Sequence, residues 1–315
     1  MSTINIQTIT YKGWQHAIEI TNSDIKIIIV PEVGRILSFS FINSENIFYE
    51  NKTLESITFN NGTYFKKEEK IAAPDIGGNR VLPCSEEYFH LITDSRHVPD
   101  PFINAHSYKA TILKNGVVLK SPISSFLGIE INRTITIDEK GCKVYIAQEL
   151  IKKQAAENNV LEKIPLTIWS LSKIKTPNNS FTKTAKKSVF KNGFTISKWP
   201  DAKNYAEENA SLDNRIVTLK SSKKHPQKIG TDSRKWVAAS YKDNLFVEQF
   251  NFNDEAPYPD NGTSVTIFGN HLFTELECLS PEKTLLIGEK ITYNLTWNLI
   301  KTEGKSDLKK IFKSF

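Results

Sequence analysis

Apolar and polar residues alternate with a period of two along most of the chain. Ile291, Tyr293, Leu295, Trp297 and Leu299 interleave with Thr292, Asn294, Thr296 and Asn298, which predicts a strand with one buried face. Leu37, Phe39 and Phe41 alternate with Ser38 and Ser40 in the same way, and Ile129, Ile131, Ile135 and Ile137 lay one apolar face across Arg133 and Thr134. Polar turns join these runs. Asn115-Gly116 separates ATILK from VVLKS, a two-residue hairpin signal, while Asp243-Asn244 and Glu139-Lys140-Gly141 divide two further pairs. Strands recurring every ~8–12 residues predict an all-β antiparallel sandwich or barrel rather than βαβ units. Helical pattern is confined to 151–163 and 306–315. The polar segments 52–73 and 176–210 read as long loops, a length often tied to function. One large domain over residues 1–300, followed by a charged tail at 301–315, fits better than a split near 155–165.

Composition narrows the class. The chain has 315 residues, 39% hydrophobic and 24% charged, as expected of a globular protein with a substantial core. No run approaches the ~18 apolar residues of a membrane-spanning helix. The opening MSTINIQTITYKGW has no basic region followed by an apolar one, so no secretory signal is expected. Cys84, Cys142 and Cys278 lie far apart, with neither zinc nor disulfide spacing. Together these features predict a cytoplasmic protein. The net charge of +6 comes from scattered lysines, with short clusters at 183–187, 223–224 and 309–313. Scattered charge reads as solvated surface, and no nucleic-acid or membrane partner is expected.

Two segments carry candidate chemistry. In Asp75-Ile76-Gly77-Gly78-Asn79-Arg80-Val81-Leu82-Pro83, two glycines permit close backbone approach and Arg80 follows at once. A guanidinium there can grip vicinal hydroxyls or a carboxylate with two parallel hydrogen bonds; the alternative is a glycine turn with a surface arginine. No phosphate-binding glycine loop is present. In Phe273-Thr274-Glu275-Leu276-Glu277-Cys278, an extended backbone puts Glu275 and Glu277 on one face and Leu276 and Cys278 on the other. Adjacent carboxylates repel, which raises at least one pKa and suits a general base; two solvent-facing glutamates are the plainer reading. The six histidines show neither HxH nor HExxH spacing, so no metal site and no cofactor are expected. His97 and His106 bracket the loop VPDPFINA, and each is more often structural than functional. Trp169, in PLTIWSLS, serves equally well as a stacking platform for a sugar or as core.

Taken in order, these pieces resemble the galactose mutarotase-like (aldose 1-epimerase) superfamily. GWQHAIEI, VPEVGRILSFSF and NIFYEN are similar to its opening. DIGGNRVLP and FTELECLSP are similar to the GG-x-[KR]-x-x-P and E-x-E-x-x-x-P elements of a bacterial branch, and LLIGEKITYNLTWNL to its L-x-P-G-E ending. The resemblance spans residues 13–299 and implies an antiparallel β-supersandwich that binds a small or oligomeric carbohydrate on a concave face. It further implies an aldose 1-epimerase-like isomerase, in which a glutamate takes the proton of the anomeric hydroxyl and a histidine protonates the ring oxygen. On that basis Glu275 is the base, Glu277 stands at a glutamine position, and Arg80, with Asp75 nearby, contacts substrate. The chain departs from the pattern in two places. Trp169 stands where the acid histidine is expected, and the H-G-x-x-R element is missing, which leaves His106, His97 or Lys228 (in Lys228-Ile229-Gly230) as proton donor. The alternative is a non-catalytic carbohydrate-binding protein that uses Glu275, Glu277, Arg80 and Trp169 for hydrogen bonding and stacking.

Overall fold

The computed structural model describes residues 4–59, 74–197, 204–303 and 305–315. Those residues build two antiparallel sheets of ten strands each. The first sheet runs, edge to edge, β1 (Asn5–Tyr11), β2 (Trp14–Thr21), β3 (Ile25–Val30), β4 (Arg35–Phe41), β5 (Asn79–Leu82), β10 (Trp169–Lys175), β19 (Phe273–Leu279), β18 (Val265–Gly269), β15 (Gln227–Thr231) and β12 (Thr195–Ile196). The second runs β13 (Ala210–Asp213), β14 (Ile216–Lys220), β11 (Asn179–Lys183), β16 (Trp236–Tyr241), β17 (Asn244–Phe250), β20 (Lys290–Lys301), β9 (Lys143–Lys152), β8 (Ile129–Ile137), β7 (Gly116–Lys120) and β6 (Lys109–Ile112). The strand of residues 291–299 forms as the alternation requires, with Ile291, Tyr293, Leu295, Trp297 and Leu299 buried.

The core lies between the sheets. Phe39 from the first meets Phe246 and Trp297 from the second, with Phe48 beside them and ring centroids 5.4–6.4 Å apart. Edge-to-face contacts of this kind add ~0.5–1.5 kcal/mol each beyond the area they bury. Polar groups cross this core as well. Arg133 sits on the apolar face of β8 with no exposure; it donates to Asn79 Oδ1, and Asn79 donates to Ser172 Oγ at 2.9 Å. Ser172 in turn donates to Glu248 at 2.7 Å. Burial pushes the Glu248 carboxyl up to about 8 and the Arg133 guanidinium down to about 10.

Several expectations need correction. Leu37 does not share a face with Phe39. A register shift between β3 and β4 sends Leu37 to a second apolar cluster with Trp14, Ile28 and Val30, outside the first sheet. Residues 151–163 are not a helix: they finish β9, turn, and close with one 3-10 turn at Leu161–Lys163. Segment 176–210 is not one loop, since β11 lies inside it and is the third strand of the second sheet, and β12 pairs with β15. Much of segment 52–73 falls outside the described residues. At the second hairpin the chain reverses through Lys242-Asp243, and Asn244 already pairs with Tyr241. Gly116 is needed because a Cβ there would lie 2.0 Å from the Ile135 carbonyl oxygen on β8. The C-terminal segment forms the helix Lys305–Ser314, and its Phe312 stacks on Trp236 at 4.9 Å, closing a small core on the outside of the second sheet. The three cysteines are free, and no helix among the described residues is long and apolar enough to cross a membrane.

Candidate functional site

Strand register assembles the site. Residues directly opposite in an antiparallel pair share a face. Following the pairing across the first sheet gives the row Arg80, Leu171, Glu277, Thr266, Gly230, Thr195. The next row holds Lys173, Glu275, Phe268 and Lys228, and the row on the other side holds Leu82, Trp169 and Leu279. All lie on the face turned away from the second sheet, while Asn79, Ser172, Leu276 and Cys278 point into the core. Glu275 and Glu277 therefore do share a face, together with Arg80, Trp169 and Lys228.

Their partners divide the two glutamates. Glu275 keeps 13% of its side chain exposed; Lys173 lies 3.1 Å from it and Arg80 4.0 Å. Lys173, which sequence reasoning missed, is only 4% exposed, also pairs with Asp75, and sits 3.9 Å over the ring of Phe273. The signal for it was present: the alternation that turns Trp169 and Leu171 outward turns Lys173 outward with them. Arg80 donates to Asn104 Oδ1 at 2.8 Å, which aims its planar head. Buried Arg35 donates to the same oxygen at 3.2 Å.

Glu277 is fully buried. Its Oε2 accepts the Trp169 indole N–H at 2.7 Å, and its Oε1 has no hydrogen-bond partner among the described residues. Burial pushes its carboxyl up to about 8; Lys228 pulls against this, and Glu275 and Glu86 add to it. Lys228, also buried, donates to Glu86 at 2.8 Å and lies 5.6 Å over the Trp169 ring. Burial alone would lower the Lys228 pKa, but Glu277 and Glu86 outweigh it and raise the value, so this ammonium holds its proton. Trp169 is 1% exposed, so its indole serves as a donor to Glu277 and a wall for Lys228.

Beside this face opens a cavity of about 840 Å³. Arg80, Thr266, Gly230 and Thr195 of the central row line it, as do Glu86 and His97. His106 is outside that lining and stacks on Phe102 at 5.8 Å. The loop carrying His97 is held by Asp100, a fully buried carboxylate that accepts from Ser124 Oγ and from Phe102 N at 3.0 Å. Burial pushes Asp100 up to about 6. No group of three or more potential metal ligands is found among the described residues.

Comparison with solved structures decides the architecture. A galactose mutarotase-like protein from Lactobacillus casei superposes with a TM-score of 0.58 over 90% of this chain and 100% of that one, at 10% identity. The chain has the galactose mutarotase-like fold. A galactose mutarotase related enzyme from Lactobacillus acidophilus (TM-score 0.56, 8% identity, 91% and 98% covered) and a putative mutarotase from Salmonella typhimurium (0.53, 8%, 95% and 94%) are similar to it in the same way. No protein-family model matches the chain, and no curated protein does. At these identities the likeness is one of fold, so the chemistry of this chain rests on its own side chains.

Proposed function

We propose that the protein binds a sugar in the cavity over the outer face of the first sheet and interconverts its anomers. The observation that carries this reading is the pair Glu275 and Glu277: neighbours on one strand face, the first partly exposed between Lys173 and Arg80, the second fully buried. Carboxyl groups whose environments diverge in this way are the usual mark of proton-transfer sites. Glu275 is not itself in the cavity lining but lies behind the lining residue Arg80, 4.0 Å away, with Lys173 at 3.1 Å; it takes the proton from the anomeric hydroxyl of a sugar that reaches past Arg80. The C1–O1 bond becomes a carbonyl as the bond from C1 to the ring oxygen breaks, and the ring oxygen takes a proton from an acid. His97 is the one of the two histidines named from sequence that lines the cavity, and it is assigned that role. Lys228 holds its charge and supplies a fixed positive field rather than a proton. Arg80 reaches both the cavity and Glu275, and so bridges substrate and base.

Glu275→Gln tests this. Anomer interconversion should fall ~10²–10⁴-fold, the usual worth of a general base, while sugar affinity changes less than tenfold. If the variant loses affinity and the wild type shows no interconversion, the second reading holds: a carbohydrate-binding protein. The ion pair that already engages Glu275 with Lys173 favours that reading, because a tethered carboxylate suits hydroxyl recognition.

A further inference from the structure

Arg35, in the opening motif VPEVGRILSFSF, begins β4 and is 1% exposed. A guanidinium carries a permanent charge and five donors, so its burial requires acceptors. Arg35 Nη1 donates to the Gly77 carbonyl at 3.1 Å, and Nη2 donates to the Asn104 carbonyl at 3.0 Å and to Asn104 Oδ1 at 3.2 Å. Arg35 thereby joins the glycine pair that precedes Arg80 to the helical turn Pro101–Asn104. Both pieces are held in turn. A Cβ on Gly77 would lie 2.2 Å from the Tyr49 carbonyl oxygen, and buried Asp100 caps the helical turn at Phe102 N. Asn104 is itself 1% exposed, and its Oδ1 also accepts from Arg80 Nη1 at 2.8 Å. Two guanidinium groups converge on one amide oxygen; like charges repel, and the hydrogen bonds have to outweigh that cost. The consequence falls on Arg80. Its Nε has no hydrogen-bond partner among the described residues, and its Nη2, 4.0 Å from Glu275, is too far for one, so the bond to Asn104 sets the plane of the head. Arg80 lines the cavity, whereas Arg35 and Asn104 do not.

We propose that Arg35 and Asn104 are positioning residues for sugar recognition, holding the Arg80 guanidinium where it meets the substrate and faces Glu275. This rests on the reading of Arg80 as a sugar contact and goes further: affinity is set by two buried residues that touch no substrate. Lysine cannot replace Arg35, because a single ammonium does not span the Gly77 and Asn104 carbonyls as a planar fork does.

The test uses the full chain and two readouts. The first is anomer exchange of glucose and galactose, read as KM and kcat, or as Kd where a sugar binds without exchange. In Asn104→Ala, KM should rise at least tenfold with kcat within threefold, the mark of lost substrate binding. Asn104→Asp keeps an acceptor for both guanidinium groups and should stay within threefold of the wild type. Arg35→Lys should raise KM at least threefold, and it carries the same comparison if Asn104→Ala fails to fold. In an Arg80→Ala background either substitution should change KM less than twofold, because its effect passes through Arg80. The second readout is side-chain nitrogen NMR of Arg80, assigned with Arg80→Ala. Rotation of the guanidinium should be hindered in the wild type and in Asn104→Asp, and free in Asn104→Ala and Arg35→Lys. A rise in KM as large without Arg80 as with it, or equal rotation in every protein, overturns the positioning role and leaves the sugar reading standing. A held Arg80 in a protein that neither binds nor exchanges the sugars upholds the grip of Arg35 and Asn104 and overturns the sugar reading instead.

Discussion

Replacing Glu248 with glutamine should change how stability depends on pH more than it changes stability itself. Glu248 is fully buried between the sheets, accepts from Ser172 at 2.7 Å, and is pushed from 4.5 up to about 8. In the unfolded chain the carboxyl loses its proton near 4.5, whereas in the folded protein it keeps the proton until about 8. Between those limits the native state binds the extra proton, so stability is greatest below the unfolded value and declines as pH rises. One proton corresponds to ~1.4 kcal/mol for each pH unit, and the whole window to about 5 kcal/mol. Glutamine keeps a carbonyl oxygen for Ser172 and titrates nowhere. At pH 5 the variant should lie within ~1–2 kcal/mol of the wild type, the cost of an imperfect buried hydrogen bond. By pH 8 it should have gained several kcal/mol relative to the wild type. Urea denaturation followed by tryptophan fluorescence at pH 5, 6, 7 and 8 measures this directly. A difference between variant and wild type that stays constant across the four pH values would refute the reasoning.

Other perturbations give sharp expectations. Lys173→Met leaves Glu275 and Asp75 without their shared cation; it should cost about 2 kcal/mol in urea denaturation, less than the ~3–5 of a fully buried pair because Asp75 is 40% exposed. Lys173→Arg should restore most of that loss. Gly78→Ala forces a side chain onto φ +66° and sets its Cβ 2.3 Å from the Ile36 carbonyl oxygen; it should lower stability by ~2 kcal/mol or more and displace the neighbouring Arg80, weakening any sugar binding seen by calorimetry. Phe312→Ala removes the ring that stacks on Trp236 and packs at a tilt against Phe181; it should cost ~2–4 kcal/mol in thermal denaturation with sugar binding unchanged, because it lies on the second sheet.

How much of this was legible in the sequence depended on what each residue does. Period-two alternation showed the strand of 291–299 and the shared face of Glu275 and Glu277, because both follow from local geometry. Leu37 was misplaced because a one-residue bulge leaves the alternation intact while rotating the backbone under it. Strand β11 was hidden because Ser180 and Thr182 are buried alongside Phe181, so no polar face marks the period. Arg133 looked like an interruption of an apolar face and is in fact part of it, held there by Asn79 from the other sheet. Residues 151–163 mimicked a helix because Val160, Leu161 and Ile164 fall at helical spacing around a single tight turn. The site was legible in its carboxylates and in Arg80. The alternation marked the outward face of Lys173, but its role and that of Glu86 were not legible, because they depend on partners 102 and 142 residues away in the chain, Glu275 and Lys228.

The central claim is that the outer face of the first sheet handles a sugar through Glu275. Two-dimensional exchange NMR of anomeric protons tests it most directly, with catalytic amounts of protein added to hexosamines, hexoses, pentoses and hexose phosphates. Cross-peaks between α and β anomers that build up faster with wild-type protein, and return to the uncatalysed rate with Glu275→Gln, are the predicted result. Exchange that is unchanged by the protein for every sugar, or catalysed equally well by Glu275→Gln, would contradict it.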